Sequence, residues 1–480
     1  MTPTVSAARL ARLLGEAPTA RPAYRAVADG LNTLLNDGRL ASGTRLPSER
    51  ELTAALGCSR TTVARAYAVL RDDGRLTSRR GSGSVLALPA GRGGGRSSRV
   101  LSPALDLDPG TIDLTCAATR APAGMADACA AALAALPSYL DDNGYAPVGL
   151  ADLRALIAER YVRAGLDTRP EDILITSGAV SGLAIVARSL VRPGDRVLTE
   201  SPTYPNAVEA LRRAGARIAT IPVDPEGWDV AEAVRVIGHA GARLAYLIPD
   251  FHNPTGALLD EDGRSQLGRA LGAAGTVPVI DESIADLDLD RSAQRPRPFA
   301  RFAPEAIAIG SASKSFWGGL RIGWLRMPPG RAGALLEVRA GLDLGAPILE
   351  QLILAELLRR HSDLPPGRRG DLVASREATR SALGSMLPQA RFSMPRGGLS
   401  LWVEIPDVPA VALCPAAEAT GLLLAAGPRF SPGGGFERFV RIPYVLPKET
   451  MVEAVRRLAR ACCVARAGTG EHSATTAFIA

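Results

Sequence analysis

Hydrophobic positions recur every three or four residues in the first part of the chain. Tyr24, Val27, Leu31 and Leu34 are spaced in this way, which predicts an amphipathic helix with one buried stripe. The run Gly-Thr-Arg-Leu-Pro at residues 43–47 interrupts the pattern, because neither glycine nor proline favours a helix interior. The chain is therefore expected to open with short helices joined by tight turns.

Two further short helices are predicted after this break. Ser48, with Glu51 three residues later, forms a capping box that begins the second helix. Gly57 and Cys58 make the turn that ends it, and Ser59 caps the third helix. The inward face of the third helix carries Val63, Tyr67 and Leu70. Its opposite N-terminal face carries Arg60, Thr61, Ala64 and Arg65. This order predicts a helix-turn-helix whose last helix presents basic and hydroxyl groups where base edges are met.

A tight hairpin is predicted next to the helix-turn-helix. The run Arg-Arg-Gly-Ser-Gly-Ser at residues 79–84 lies between Leu76 and Val85. Its glycines allow the backbone to approach a phosphate closely. Residues 1–89, here called the head, are thus predicted to form a winged helix-turn-helix that binds double-stranded DNA.

Short apolar runs alternate with helical patterns over residues 111–465, here called the body. The predicted strands are residues 172–176, 196–199, 245–248, 277–281 and 306–310. This alternation predicts an α/β fold with a mostly parallel sheet flanked by helices. In such a fold, functional groups are expected at the carboxyl ends of the strands.

Two segments outside these sections have a polar, small-residue composition. Residues 90–110 include Gly-Arg-Gly-Gly-Gly-Arg-Ser-Ser at positions 91–98 and predict a flexible linker. Residues 466–480 predict a disordered tail.

The positive charge is concentrated in the head. The chain of 480 residues has a net charge of +7, and residues 1–95 alone hold 14 Arg against 7 Asp and Glu. A basic small section joined to a neutral large one favours a nucleic-acid-binding head on a differently employed body. Basicity without nucleic-acid binding is the alternative on charge alone.

Cysteine and histidine give no sign of a metal site or a disulfide framework. The six Cys include no CxxC pair, and the four His are scattered. No apolar run reaches about 18 residues, and no signal peptide is recognised at the start. We therefore expect a cytoplasmic protein with neither a metal nor a membrane partner.

Lys314 stands out against the arginine-rich composition. Of the 56 basic residues only Lys314 and Lys448 are lysine. A position that remains lysine in this background suggests a need for an amine that loses its proton and attacks a carbonyl. Lys314 follows Ser311-Ala312-Ser313, and this setting is expected of a lysine that forms a Schiff base with pyridoxal 5′-phosphate (PLP). A surface lysine retained by chance is the alternative.

Other polar residues near predicted strand ends match separate tasks in PLP chemistry. Ser177, Gly178 and Ala179 open a helix after a strand, where backbone N–H groups can bind a phosphate. Arg321 could clamp the same phosphate. The remaining candidates are Tyr204 for stacking on the ring, Asn253 for a ring oxygen, Asp281 for the ring nitrogen, Ser311 and Ser313 as further cofactor contacts, and Arg441 for a substrate or effector carboxylate.

The head resembles the winged helix-turn-helix of GntR-type transcription regulators. The resemblance is carried by Arg-Leu-Pro-Ser-Glu-Arg-Glu-Leu at 45–52, Ser-Arg-Thr-Thr at 59–62, Asp-Gly-Arg-Leu at 73–76 and the Gly-Ser-Gly wing. It implies DNA contacts at Arg45, Arg50, Ser59, Arg60, Thr61 and Gly81. The family often has a further Arg where this chain has Ala64, so that contact is either absent or passes to Arg65.

The body resembles the fold type I aminotransferases over nearly all of residues 110–465. The resemblance implies a small C-terminal α+β subdomain after the large sheet. In that family a tyrosine at the place of Tyr145 reaches the phosphate of the partner subunit, which implies a homodimer. A GntR-type head on such a body resembles the MocR branch of bacterial regulators. The resemblance implies that PLP, its aldimine with a small amino-compound effector, or both control DNA binding. A genuine aminotransferase that carries a DNA-binding head is the alternative.

Two departures from the aminotransferase pattern bear on this choice. Ile284 occupies the place, three residues after Asp281, where a tyrosine commonly bonds the phenolic oxygen of the cofactor. His252 precedes Asn253, where such regulators frequently have Gln; a packing or hydrogen-bonding role is favoured over a catalytic one. These changes keep cofactor capture but weaken the case for efficient transamination.

Overall fold

The structure is a computed structural model that describes residues 4–15, 22–36, 39–40, 43–79, 83–87, 108, 110–224, 226–291, 295–361 and 364–474. Most of the predicted linker, Gly81 at the tip of the wing and the last six residues of the chain lie outside this part. In the described part no helix is long and apolar enough to cross a membrane.

The head contains four helices and a two-stranded hairpin. Its elements are α1 (Ala7–Leu14), α2 (Ala23–Asn36), α3 (Glu49–Leu56), α4 (Arg60–Asp72), β1 (Leu76–Arg79) and β2 (Gly83–Leu86). The predicted capping box is present, since Glu51 N donates to Ser48 Oγ and Ser48 N donates to Glu51 Oε2. Helix α1, which the sequence reasoning missed, begins at the N-cap Ser6.

The buried stripes of the head helices form one apolar core. Leu31, Val63 and Leu70 are fully buried in it. Tyr67 Oη donates to the carbonyl of Pro47 at 2.9 Å, which ties α4 to the segment that leads into α3. Gly57 has φ +63°, the left-handed conformation that allows the tight turn between α3 and α4. The core therefore fixes α4 with its polar face outward.

The body is built around an eight-stranded sheet with helices on both sides. The elements of this large part are β3 (Ile112–Asp113), α5 (Met125–Ala135), α6 (Ala151–Arg163), β4 (Ile173–Thr176), α7 (Ala179–Leu190), β5 (Arg196–Ser201), α8 (Pro205–Arg213), β6 (Arg217–Asp224), β7 (Gly227–Trp228), α9 (Val230–Ala240), β8 (Leu244–Leu247), α10 (Glu261–Ala273), β9 (Val277–Asp281), β10 (Ile307–Ser311), α11 (Ala312–Ser315), β11 (Gly323–Arg326), α12 (Ala332–Ala340) and α13 (Ile348–Arg360). Each of the five predicted strands is present to within a few residues.

The strand order of the large sheet is β4-β11-β10-β9-β8-β5-β6-β7. The neighbours from β10 through β9, β8 and β5 to β6 are parallel, whereas β11 and β7 run antiparallel to their partners. Strands β4, β8, β9 and β10 are buried along their whole length, as expected for a sheet covered on both faces. The predicted mostly parallel α/β fold is confirmed.

The C-terminal part is a smaller α+β unit. Its elements are α14 (Arg368–Met386), β12 (Ser400–Glu404), α15 (Ala410–Glu418), β13 (Leu422–Leu423), β14 (Ala425–Ala426), β15 (Phe439–Pro443) and α16 (Lys448–Ala474). Strands β12, β15 and β14 form an antiparallel sheet, and β13 pairs with β3.

The predicted tail needs a correction. Residues 466–474 are helical, because α16 continues through them, and residues 475–480 lie outside the described part. The helix packs through a buried stripe that includes Val455, Leu458, Ala461 and Ala465. Once the stripe is packed, adding a turn costs little, since propagation is easier than nucleation. The small-residue composition alone did not reveal this.

Candidate functional sites

Lys314 lies in the short helix α11, directly after the end of β10. Its Nζ donates to the carbonyl of Ala117 at 2.7 Å. Burial lowers the pKa of the Lys314 amine, and the nearby guanidinium groups of Arg441 and Arg321 act in the same direction, against the opposing effects of Cys116 and Asp281. A lysine with a lowered pKa holds more of the neutral amine, which is the nucleophilic form.

Asp281 ends β9 and is held in one orientation. Only 8% of it is exposed. Tyr246 Oη, on the neighbouring strand β8, donates to Asp281 Oδ2 at 2.5 Å, and Ser283 N donates to Oδ1 at 2.9 Å. A buried carboxylate needs such partners, and it remains able to accept a bond from a protonated nitrogen. The sequence reasoning identified Asp281 but missed Tyr246, which sits inside a buried strand and carries no local signal.

Ser177, Gly178 and Ala179 lead from β4 into α7, and Gly178 lies against Arg321. Gly178 has φ +94° and precedes α7, whose first N–H groups point out of the helix start and suit an anion. A Cβ atom at Gly178 would lie 2.6 Å from Arg321 Nη2, so the absence of a side chain lets the guanidinium approach the helix start. Positive charge from a side chain and a helix N-terminus thus converge on one space, which suits a phosphate.

Arg441 comes from β15 of the small unit and reaches the same cleft. Its Nη1 donates to Asn253 Oδ1 at 3.3 Å, and its Nη2 donates to the carbonyl of Thr115 at 2.5 Å. The guanidinium carbon lies 5.1 Å from the ring centroid of Phe430. Burial lowers the pKa of Arg441 to about 10. Its Nε is buried without a hydrogen-bond partner among the described residues, which leaves a donor for a ligand carboxylate.

The segment from Thr115 to Ala117 forms one wall of the cleft and was missed by the sequence reasoning. Its first carbonyl accepts from Arg441 and its last from Lys314, so Cys116 lies between the two functional side chains. Cys116 is exposed, and its thiol is free within the described part of the chain. No local motif marks this stretch, because its position depends on pairing between β3 and β13.

Tyr204 and the two serines before Lys314 are also in place. Tyr204 is the N-cap residue of α8, and its Oη accepts from Asn206 Nδ2 at 3.0 Å. Burial raises the pKa of Tyr204, with Asp281 and Arg441 close enough to affect it in opposite directions. Ser311 Oγ accepts from Ser313 N at 3.1 Å and caps α11.

Ile284 and His252 are both part of the apolar interior. Ile284 belongs to the main hydrophobic cluster and offers no side-chain hydrogen-bond donor. His252 is fully buried, and its Nδ1 lies 2.9 Å from Thr255 Oγ1. Burial lowers its pKa to about 3, so the imidazole is neutral at physiological pH. This supports the packing role that was favoured for His252.

Tyr145 is set apart from the other candidates in this chain. Its side chain is 63% exposed, and its backbone N donates to Asn143 Oδ1. A tyrosine that reaches a site in a partner subunit would be exposed in a single chain. The role of Tyr145 stays a prediction.

The outer face of α4 in the head is open to solvent at its start. Ser59, Arg60 and Thr61 are exposed, and so is Arg50 on α3. Ser59 Oγ accepts from Thr62 N at 3.1 Å and so caps the helix. This N-terminal face combines basic and hydroxyl groups, as major-groove recognition requires.

The remaining head residues are arranged around this face. The Arg45 guanidinium lies against Gly83 of the wing, where an added Cβ would come within 3.0 Å of Nε. Arg65 lies over the ring of Tyr24, with its guanidinium carbon 4.7 Å from the ring centroid. A contact from Arg65 to DNA would therefore compete with this stacking.

A metal centre is not found in the described residues, where no three His, Cys, Asp or Glu side chains come together.

Two family patterns match the chain, one in the body and one in the head. The pattern of the class I and II aminotransferases matches residues 123–458, and that of the gntR family of bacterial regulatory proteins matches residues 23–86. The expected GntR-type head and aminotransferase-like body are thereby confirmed.

Individual relatives include both enzymes and regulators. The 2-aminoadipate transaminase of Thermus thermophilus is 35% identical over 332 residues, which are 67% of this chain and 81% of that protein. The probable rhizopine catabolism regulatory protein MocR of Rhizobium meliloti is 29% identical over 367 residues, 70% of this chain and 72% of that protein. The crystal structure of LysN, the α-aminoadipate aminotransferase of Thermus thermophilus, complexed with N-(5′-phosphopyridoxyl)-L-leucine, is 30% identical with a TM-score of 0.69, covering 75% of this chain and 94% of that one.

Proposed function

We propose that this chain, which belongs to the class I and II aminotransferases and carries a gntR-type domain, is a MocR-type transcription regulator that binds DNA. Its body senses PLP, a small amino compound, or both. The observation that carries the proposal is the combination, in one chain, of an exposed basic face on α4 and a cleft that gathers Lys314, Asp281 and Arg441. A protein with both parts can link occupancy of the cleft to the affinity for DNA.

Pyridoxal 5′-phosphate is the cofactor of the body. When bound, PLP supplies an aldehyde that an amine can attack and a ring that withdraws electrons. The residues present fit it, because the Arg321 guanidinium lies against Gly178 at the start of α7, where positive charge and free helix N–H groups suit a phosphate. Asp281, oriented by Tyr246, can keep a proton on a ring nitrogen.

We assign the recognition of an amino compound to the part of the cleft that contains Arg441 and Lys314. Arg441 can hold a carboxylate with its guanidinium, since Asn253 and Thr115 fix its orientation and its Nε has no partner among the described residues. Lys314 can bind and release a carbonyl carbon, because its lowered pKa keeps part of the amine neutral. These two groups together favour amino acids over simple amines.

Ile284 supports a sensor over an efficient catalyst. The side chain cannot donate a hydrogen bond to the phenolic oxygen of the cofactor, and it packs in the core. A sensor needs only reversible binding, whereas turnover requires repeated proton transfer by a positioned group.

A second function, genuine transamination, is favoured by the 35% identity to a 2-aminoadipate transaminase. The cleft keeps the lysine, the carboxylate and the arginine that such a reaction uses. Turnover of amino-acid and keto-acid pairs at ordinary enzymatic rates, about 1–10³ per second, with DNA affinity indifferent to amino compounds, would establish this function in place of sensing.

We also propose an oligomeric state and a cellular location for the protein. The exposed Tyr145 fits a homodimer in which it completes the phosphate site of the partner. Two heads per dimer would then bind two half-sites of an operator. Because duplex DNA is the proposed partner, we expect the protein to act in the cytoplasm.

The direct test measures DNA binding against the state of the cleft. The protein is purified free of PLP and loaded again, and its Kd is measured for a duplex from upstream of its own gene. The measurement is repeated with each of the standard amino acids. A change of about 5- to 150-fold in Kd with PLP or with one amino acid is expected for a sensor. An unchanged Kd under all conditions would refute the proposal.

A further inference from the structure

In the described part of the chain, ion pairs that involve neither the cleft nor the DNA-binding face join the head to the body. The longest is between Arg12 Nη2 and Asp229 Oδ2, which lie 4.0 Å apart, and two are shorter. Arg9 Nη1 of α1 lies 2.6 Å from Asp229 Oδ2, at the start of α9. Arg39 Nε lies 3.3 Å from Asp224 Oδ1, at the end of β6. These two pairs, Arg9–Asp229 and Arg39–Asp224, are here called the clamp. Both arginines belong to the head and both carboxylates to the body.

The clamp is a built interface and not a chance surface contact. The Arg9 side chain is only 5% exposed and would be left as a buried unpaired charge without Asp229. Beside it, Arg235 of α9 donates to the backbone carbonyl of Thr4 and to Thr4 Oγ1. Backbone and side-chain contacts therefore fix the same part of the head. Exposed ion pairs alone would not hold two domains in one orientation.

The body side of this interface is continuous with the cleft. Ser201 at the end of β5 lines the crevice under the head, together with Thr220 and Pro222 of β6. Strand β5 pairs with β6 along its whole length, so that Ser201 lies opposite Pro222. Three residues after Ser201 stands Tyr204, a candidate for stacking on the cofactor ring. This short segment therefore forms a continuous physical connection between the crevice and Tyr204.

A second link joins the same segment to Arg441. Thr203 N donates to the carbonyl of Phe430 at 2.8 Å, and the Phe430 ring lies beside the Arg441 guanidinium. Ser201 Oγ and Ser431 Oγ lie 3.4 Å apart. Residues 201–204 thus connect the head interface both to Tyr204 and to the arginine assigned to the ligand carboxylate.

We propose that the clamp is the docking surface through which occupancy of the cleft sets the orientation of the head. The proposal rests on the sensor function and names its route. The recognition face of α4 remains exposed while the clamp is closed, so docking does not block DNA. It fixes the direction in which the head points and hence the spacing of half-sites that two heads can span.

The test removes both carboxylates of the clamp without removing the helix cap. Asp229 Oδ1 accepts from Glu232 N and caps α9, and asparagine keeps an oxygen there. The variant is Asp224→Asn with Asp229→Asn. Its matched control is Glu209→Gln, which removes a body carboxylate that pairs with Arg213 on the same helix. Full-length proteins are used throughout.

Two readouts separate docking from function. Hydrogen exchange should show faster exchange at the amides of α1 in the clamp variant than in the control, with the sheet of the body unchanged. The ratio of DNA Kd without and with PLP should fall from about 5- to 150-fold in the wild type to within about twofold of one. PLP affinity should stay within about threefold of the wild type, because no clamp residue lines the cleft.

The outcomes are distinguishable. A wild type whose DNA affinity ignores PLP and amino acids refutes the sensor function and, with it, the clamp as its route. A wild type that responds, together with a clamp variant that responds equally, refutes the clamp alone. Unchanged exchange at α1 in the variant shows that the ion pairs do not hold the head. Restoring the response by combining Arg39→Asp with Asp224→Arg, when each alone abolishes it, would establish the pair directly.

Discussion

The head and the body place their functional side chains in opposite environments. In the head, Ser59, Arg60 and Thr61 project from one turn of α4 into solvent. In the body, Asp281 and Arg441 are less than a tenth exposed and are held by several partners. The head therefore presents solvated charges to a large polyanion, whereas the body holds buried polar side chains in a fixed geometry suited to one small molecule.

This difference affects what each region loses when one residue changes. An exposed arginine in the head contributes to a sum of phosphate and base contacts, so its loss is partial. A buried group in the cleft is part of a mutually oriented set, and removing it leaves its partners unsatisfied. We therefore expect abrupt losses in the body and graded ones in the head.

The largest effect is expected for Lys314→Ala. Without the amine the protein cannot hold PLP covalently, so the yellow absorbance should disappear and borohydride should fix no cofactor to the chain. Because the head core does not include Lys314, duplex DNA should still be bound. Lys448→Ala is the matched control, since Lys448 is the only other lysine and its side chain is exposed. Retained absorbance in Lys314→Ala would show that another group captures PLP.

The next largest effect is expected for Asp281→Ala. Its loss leaves the hydroxyl of Tyr246 without its acceptor and the cofactor nitrogen without its partner. Breaking a buried charge pair costs about 3–5 kcal/mol, or roughly a hundredfold or more in the Kd for PLP. Tyr246→Phe should cost less, about 1.5–3 kcal/mol, since it removes one hydrogen bond to a charged group. Equal losses in both variants would mean that Asp281 acts mainly through Tyr246.

The same contrast between the head and the body explains which functional residues could be predicted from the sequence. The DNA contacts predicted for the head all fall within residues 45–81, a nearly continuous stretch, so local spacing was enough to predict its turn, its helix caps and the hairpin. The cleft collects residues from Thr115 to Arg441, and those recognised from the sequence lay in recognisable motif fragments, most of them near predicted strand ends, such as Lys314. The positions of Tyr246 and of residues 115–117 in the cleft depend on strand pairing, and the formation of helix α1 depends on packing. No local pattern in the sequence therefore marked them.

In the head, Arg60→Ala and Arg50→Ala should differ in kind. Arg60 begins the recognition helix and should read a base, so its loss should reduce discrimination between the operator and unrelated DNA by about 1–3 kcal/mol. Arg50 lies on the preceding helix, which crosses the phosphate backbone. Its loss should weaken all sequences alike and reduce the salt dependence by about one charge. Titrations with specific and random duplexes at several salt concentrations separate the two. If both variants lost affinity for all sequences equally, Arg60 would make no base-specific contact.

The smallest effect, and the most specific to burial, concerns the pH at which Lys314 reacts. Only the neutral amine attacks an aldehyde, so the rate of PLP capture should rise about tenfold per pH unit below the pKa and level off above it. An ordinary lysine would level off near pH ~10.4. Burial and the charge of Arg441 lower the Lys314 pKa, so the plateau should begin at a lower pH. Arg441→Met keeps the bulk of the side chain but removes its charge, and should move the midpoint back towards higher pH. The rate is followed by the growth of absorbance after mixing the PLP-free protein with PLP. If the wild-type rate still rose about tenfold per pH unit up to the pKa of an ordinary lysine, the fold would leave the Lys314 amine as it is in solvent. The contrast between the buried cleft and the exposed head would then not extend to Lys314.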